Sequence, residues 1–214
     1  MTPFTLVLVG LAGLGTFISS PQSSQSRKLS DPFERYLEGI DTSRRDPSLG
    51  RFSVRCAVDI EKVRSNYAVT SGGGWQTVRN LRAGLRTLDS DFYTTLETWQ
   101  EGNHTLIEMW PNSDDVGSEV RLLYCFANGD LQFAEAIQWN IPLEPSAKIK
   151  PWGYSRRWDR DSQGKLLQTN ASFVDDYERV IPKPKLDADG EKSLRWSPPM
   201  GPLKSLKLPK SLLR

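Results

Sequence analysis

Catalysis by a nucleophile and base needs a Ser or Cys, a histidine to take its proton and a third group to orient that histidine. His104 is the only histidine in the chain. It follows Asn103 at an expected helix-to-strand junction, with no G-x-S-x-G elbow or comparable Ser or Cys motif nearby. It reads as a surface or loop histidine. Carboxylates offer a second chemistry. Asp114-Asp115 and Asp175-Asp176 are adjacent acid pairs, and Asp114 or Asp175 could act as acid or base in an envelope enzyme. Neighbours on a strand point to opposite faces, however, so adjacency does not make a dyad, and solvated turn residues are the simpler reading. Asp187-Ala188-Asp189-Gly190 supplies only a fragment of a D-x-D-x-D-G calcium loop. Thr70 to Gly74, TSGGG, lacks the Gly-Lys-Ser/Thr of a phosphate loop and any Rossmann spacing, so it reads as a hinge. Two cysteines and one histidine are too few for a zinc site. No catalytic residue, metal or cofactor is assigned on this basis.

Aromatic residues are more informative. Trp110, Trp139, Trp152, Tyr154 and Trp158 fall on or near expected strands, with Arg156 and Arg157 among them. Rings and guanidinium groups sharing one sheet face can bind a sugar, an anion or a protein surface. Trp152, Tyr154, Arg156 and Trp158 are therefore the candidate ligand-binding residues, and core beneath a helix is the plainer role for the same rings. Stacking on nucleic acid needs aromatics within a basic field. From Lys183 to the end the chain has eight Lys/Arg against three Asp/Glu, a local charge of +5. With an overall formal charge of +2, the preceding part carries −3, so a nucleic-acid partner is not expected. Within the tail, Lys204, Lys207 and Lys210 recur every third residue with Leu203, Leu206 and Leu208 between them. That pattern suits a solvated extension, or contact with an anionic envelope component or an acidic protein.

The location follows from the N-terminus and the cysteines. Residues 1–26 carry no charged side chain, and Phe4 to Ile18 is an apolar run like the core of an export signal, or a membrane anchor if uncleaved. Cys56 and Cys125 are an even pair 69 positions apart, a natural disulfide in an oxidising compartment. A secreted, periplasmic or envelope-associated protein is expected, with the membrane touched only through an uncleaved N-terminal run. At 214 residues, 37% hydrophobic and 25% charged, the chain suits one soluble domain with end segments. Residues 1–26 form the signal or anchor, 27–182 the domain, and 183–214 a basic, Pro-rich, irregular tail.

The elements that would position these residues centre on Glu119 to Trp139, two alternating runs joined by Asn128-Gly129. Asn-Gly is the strongest short hairpin signal. A two-residue turn pairs Ala127 with Asp130 and Phe126 with Leu131. Continued unbroken, the register opposes Tyr124 to Phe133 and Val120 to Ile137, giving one apolar face with Cys125, Leu123 and Ala134 behind it. Upstream, a short helix is expected after Pro32, a strand over Arg51 to Ile60, and an amphipathic helix over Trp75 to Leu88. A second helix over Asp89 to Trp99 carries Phe92, Leu96 and Trp99 at helical spacing, with Asp89 and Asp91 in its first turn. Strands are expected over His104 to Trp110, Trp152 to Asp159 and Leu166 to Val174, with Asp161 to Lys165 as a turn and 141–151 as a Pro-bounded excursion.

The sum is an α+β fold, one or two helices packed on a curved antiparallel meander of about five strands. In architecture this resembles the cystatin or NTF2-like type of helix-plus-sheet fold, a likeness that implies a fold and no function. The expected function is a non-enzymatic binding protein using the aromatic sheet face, the basic tail or both. Its partner would be a protein, a glycan or an anionic envelope component. A carboxylate enzyme of the envelope and a membrane-anchored structural protein are the alternatives.

Overall fold

A computed structural model of the chain describes residues 47–85, 88, 93–111, 118–140, 152–175, 178–186, 191, 194 and 197–213. The N-terminal run, the expected helix after Pro32, Asp89, Asp91, Asp114-Asp115, Asp176, the 141–151 excursion and the Asp187–Gly190 fragment lie outside the described residues.

Helix α1 spans Pro47–Cys56, where a strand was expected. Pro at the first helical position has a pre-set φ and lacks an N–H that would be orphaned there anyway. The sequence RFSVRCAVDI alternates, but it also carries a helical stripe. Leu49, Phe52, Ser53 and Cys56 are buried at i, i+3, i+4 and i+7, while Val54, inward in the strand reading, is 81% exposed. Ala57 takes the left-handed conformation (φ 56°). There Val58 N–H reaches Ser53 O at 3.1 Å and Ala57 N–H reaches Val54 O at 3.2 Å, closing the helix in a Schellman pattern. Cys56, the last helical residue, is disulfide-bonded to Cys125 with the Cα atoms 5.6 Å apart. That bond is compatible with an extracellular location.

The rest is one sheet. Strands β1 (Asn66–Thr70), β2 (Gln76–Val78), β3 (Thr94–Glu101), β4 (His104–Pro111), β5 (Ser118–Ala127), β6 (Asp130–Asn140), β7 (Trp152–Arg160), β8 (Leu166–Val174) and β9 (Val180–Ile181) pair antiparallel. Their order is β2-β1-β3-β4-β5-β6-β7-β8-β9. This overturns the expected helix-covered five-stranded meander and with it the cystatin or NTF2-like likeness. Nine strands form one open sheet, and the described residues hold only two short α-helices, α1 and α2 (Leu81–Leu85).

Two expected helices are corrected, one to a strand and one only in part. In β3 both faces are buried, from Thr95 to Trp99, so polar and apolar residues no longer sort by face and Leu96 and Trp99 mimic a helical stripe. Three β-branched threonines within TTLETWQE are the surviving strand signal. The segment Trp75 to Leu88 splits. Thr77 and Val78 pair with β1, and Asn80 starts α2 by accepting from the Ala83 amide on its side chain and the Gly84 amide on its carbonyl.

At the β5–β6 turn Asn128 (φ 52°) and Gly129 (φ 81°) are both left-handed, the pair of conformations a type I′ turn requires. Ala127 pairs with Asp130 and Phe126 with Leu131, but Cys125 then pairs with Phe133, so Gln132 is left over as a bulge. The slip corrects the rest of the register. Tyr124 opposes Ala134, Val120 opposes Gln138, and Phe133 and Ile137 turn to the side of Cys125 and Arg121. The single aromatic face becomes two mixed faces.

One face meets α1. Phe52 lies 4.8 Å from Phe133 between ring centroids, and both join Leu49, Trp99, Leu106, Leu123 and Cys125. The other face, with Leu96, Ile107, Leu122, Tyr124, Phe126 and Trp158, lies beneath the C-terminal tail. Leu203, Leu206, Leu208 and the fully buried Leu212 pack onto it. Tail backbone and sheet are also joined. Leu203 N–H donates to Gly129 O at 2.8 Å, Trp75 Nε1 to Leu206 O at 3.3 Å, and Thr98 Oγ1 to Leu212 O at 3.0 Å. The tail is irregular, with 3-10 turns at Leu203–Leu206 and Lys210–Leu212, yet it straps the sheet from the β5–β6 turn to β3.

Candidate functional site

On the face toward α1, the alternation of β3, β4 and β5 buries residues that a core would not choose. Thr95 and Glu97 on β3, Glu108 on β4 and Arg121 on β5 are each at most 1% exposed. Glu97 and Glu108 are direct cross-strand partners, as are Thr95 and Trp110. Arg121 binds three groups from three elements. Its Nε donates to Glu108 Oε1 at 2.7 Å, and its Nη1 donates to Ser48 Oγ of α1 at 2.6 Å and to Glu178 Oε1 before β9 at 2.8 Å. The guanidinium carbon is 5.8 Å from the centre of the Trp110 ring. Trp110 in turn stacks on Trp139 of β6, with centroids 5.7 Å apart and planes 4° from parallel. The indole of Trp139 sits against Gly153 of β7, where a Cβ would lie 3.0 Å from Trp139 Cδ1. Among the described residues, the buried Thr95 Oγ1 and Trp139 Nε1 have no hydrogen-bond partner.

Burying ions costs several kcal/mol apiece before pairing returns any of it, and well-packed apolar side chains often serve stability as well. Hydrogen bonds to charged groups in such a place are strong and orient their partners firmly. The arrangement therefore fixes two carboxylates, a guanidinium and two stacked indoles in the interior of this face, none of them more than 5% exposed, and ties α1 and the approach to β9 to the sheet.

Toward β7 and β8 the same face opens to solvent. Arg157 Nη2 pairs with Glu135 Oε2 at 3.0 Å, and the Arg157 side chain is 43% exposed. Asp159 binds both Arg55 of α1 and the hydroxyl of Thr169. Burial by itself would raise the Asp159 pKa, but the Thr169 and Arg55 contacts outweigh it and hold the carboxyl below its usual value. Arg55 also sits 4.0 Å from the centre of the Phe133 ring.

The residues singled out by sequence lie on the opposite face. Trp152, Tyr154, Arg156 and Trp158 share one side of β7, and there the guanidinium of Arg156 sits 5.4 Å from each of the Tyr154 and Trp158 rings. The row is assembled but enclosed. Trp152, Arg156 and Trp158 are at most 9% exposed, and Arg156 Nη1 donates to Leu194 O of the tail at 3.4 Å. Burial lowers the Arg156 pKa. Cys56 and Cys125 come together as a disulfide, and Lys204, Lys207 and Lys210 stand exposed on the outside of the strap. Asp175 accepts the Arg179 backbone amide and side chain within a tight turn, and His104 begins β4 opposite Ala127.

Glu97, Glu108 and Arg121 escaped the sequence reading because each sits alone among apolar neighbours, with no motif spacing to join them. A signal was present. A single ionisable residue inside each of the otherwise apolar runs LIEMW and VRLL is a lapse that a purely structural strand would avoid. Comparison of the chain with protein-family models, with curated proteins and with solved structures gives no match.

Proposed function

We propose that this is an exported, non-enzymatic binding protein that takes a hydroxyl-rich ligand, such as a glycan, where the sheet face toward α1 opens to solvent at β6 to β8. The observation that carries the reading is the row of partly exposed ion pairs there, Arg157 Nη2 with Glu135 Oε2 at 3.0 Å and Arg55 with Asp159, whose carboxylate also accepts from Thr169. Carboxylates and guanidinium groups that hold one another in place can accept from and donate to sugar hydroxyls. Export is supported by the disulfide and by the uncharged residues 1–26.

A glycan array probed with the full chain tests this, followed by calorimetry of any hit with Arg157→Ala and Glu135→Gln, which remove the two members of one partly exposed pair. Loss of at least tenfold in affinity with an unchanged melting temperature supports the reading. No glycan binding, or equal binding by both variants, removes it.

One observation favours a second reading, an envelope enzyme using carboxylates. Glu97 and Glu108 are direct cross-strand partners on β3 and β4, both buried, so two carboxyl groups stand on one side of neighbouring strands. Turnover on a panel of glycoside and ester substrates, bell-shaped in pH and abolished by Glu108→Gln, would establish it.

A further inference from the structure

We propose that the outer side of the C-terminal strap is a docking surface for an anionic lipid bilayer, independent of the face toward α1. In residues 203–212 the leucines and lysines divide cleanly. Leu203, Leu206, Leu208 and Leu212 pack into the sheet, and Lys204, Lys207 and Lys210 are exposed. None of the three lysines has an ion-pair partner among the described residues. Other exposed cations are paired in place, among them Lys62 with Asp59, Lys183 with Glu191 and Arg179 with Asp175. From Lys192 to Arg214 the chain contains six Lys/Arg and no Asp/Glu. Lys207 itself is left-handed (φ 51°), a conformation that an ordinary side chain adopts only at a cost.

The chemistry selects a lipid surface. The apolar half of the strap is already spent on the sheet, so this contact is electrostatic and needs no insertion. Lysine is a compact point charge suited to a diffuse field of headgroups, whereas recognition of individual phosphates favours the arginine fork. A single-stranded nucleic acid would want aromatic faces interleaved with the cations. Here Tyr124, Phe126 and Trp158 are buried beneath the strap, and the partly buried Trp75 is engaged through its indole N–H by Leu206 O.

The test is co-sedimentation of the full chain with vesicles of phosphatidylcholine alone and with a third phosphatidylserine. The neutral vesicles report any contribution of the N-terminal run. Each lysine near an anionic surface favours binding by about fivefold, so Lys204→Gln, Lys207→Gln and Lys210→Gln together should lower partitioning onto anionic vesicles by about 100-fold. Raising the salt to 0.5 M, a concentration chosen on the order of strong screening, should have the same effect. The triple variant should melt as the parent does, because all three side chains are exposed. Equal partitioning of parent and triple variant overturns the proposal, as does an absence of preference for anionic vesicles. Binding to soluble polyphosphate or DNA without binding to vesicles also overturns it and identifies the surface as a polyanion site.

Discussion

Replacing Leu212 by alanine tests whether the tail is part of the fold. Leu212 lies in a short 3-10 turn of an irregular segment, a kind of position where substitutions are usually harmless. Its side chain is 0% exposed, and its carbonyl accepts the Thr98 hydroxyl at 3.0 Å. Leu212→Ala removes three buried carbons at roughly 0.8 kcal/mol each, about 2.4 kcal/mol before any cavity contribution. With a urea m-value of about 2 kcal/mol per molar, the unfolding midpoint should fall by about 1 M. Unfolding is followed by tryptophan fluorescence and far-UV circular dichroism together. Trp75, whose Nε1 donates to Leu206 O of the strap, lies under the affected segment. Because the strap pairs with no strand, it can also open alone, which would cap the loss at its local opening energy. Hydrogen exchange separates the cases, since local opening removes protection from Leu203, Ser205 and Leu212, whose amides are bonded, and leaves β4 to β6 protected. Lys207→Gln serves as the control, expected within about 0.5 kcal/mol of the parent because the side chain is exposed. A midpoint unchanged by Leu212→Ala, with native protein clipped after Met200 at no cost in stability, would refute the strap.

Four further outcomes are expected. Cys56→Ser with Cys125→Ser should cost roughly 3–5 kcal/mol, because the bond closes a 69-residue loop and ties α1 to β5; equilibrium denaturation with and without reductant measures it. Gly153→Ala should cost about 1–3 kcal/mol and shift the tryptophan emission, since the new Cβ would meet both Trp139 Cδ1 and Val174 Cγ2 at 3.0 Å. Ala57→Gly should stabilise by about 0.5–1 kcal/mol, read as a melting temperature raised by roughly 1–4 °C, because φ is +56° there. Asp159 has a folded pKa below its unfolded value, so its contribution is present above the ordinary carboxylate pKa and lost as pH falls through the folded one. Asp159→Asn should therefore cost stability at neutral pH and leave the acid side of the profile, below about pH 4, flatter than the parent's.

Legibility from sequence varied with how local the cause was. The β5–β6 turn was readable because Asn128 and Gly129 are among the few residues that tolerate the left-handed conformations it needs. The turn over Asp161–Lys165 and the strands beside it were readable for the same reason, with Gly164 at φ 80°. Helix α1 was misread because ten residues satisfied two periods at once. Burial of Leu49, Phe52 and Cys56 against Phe133 and Cys125 chose between them, and that surface exists only after the sheet has formed. In the candidate site, the types of the residues were plain but their meeting was not. Arg121, Glu108, Ser48 and Glu178 come from β5, β4, α1 and the approach to β9, spread over 130 residues of sequence.

By itself, the sequence determined what depends on a few adjacent residues: the turns, most strands from β4 to β8, the cysteine pair and the basic character of the tail. The tertiary structure alone decided what depends on opposing surfaces. A one-residue bulge at Gln132 turned Phe133 and Ile137 to the other face, since side chains alternate and one extra residue inverts every position beyond it. It also decided which rings are enclosed. Leucines at 203, 206, 208 and 212 found an apolar sheet face to cover, so Trp158 became interior beneath them, and Arg156 beside it is bonded to Leu194 O of the tail. No local pattern encodes that choice, because burial is a property of two surfaces and each strand carries only half of one.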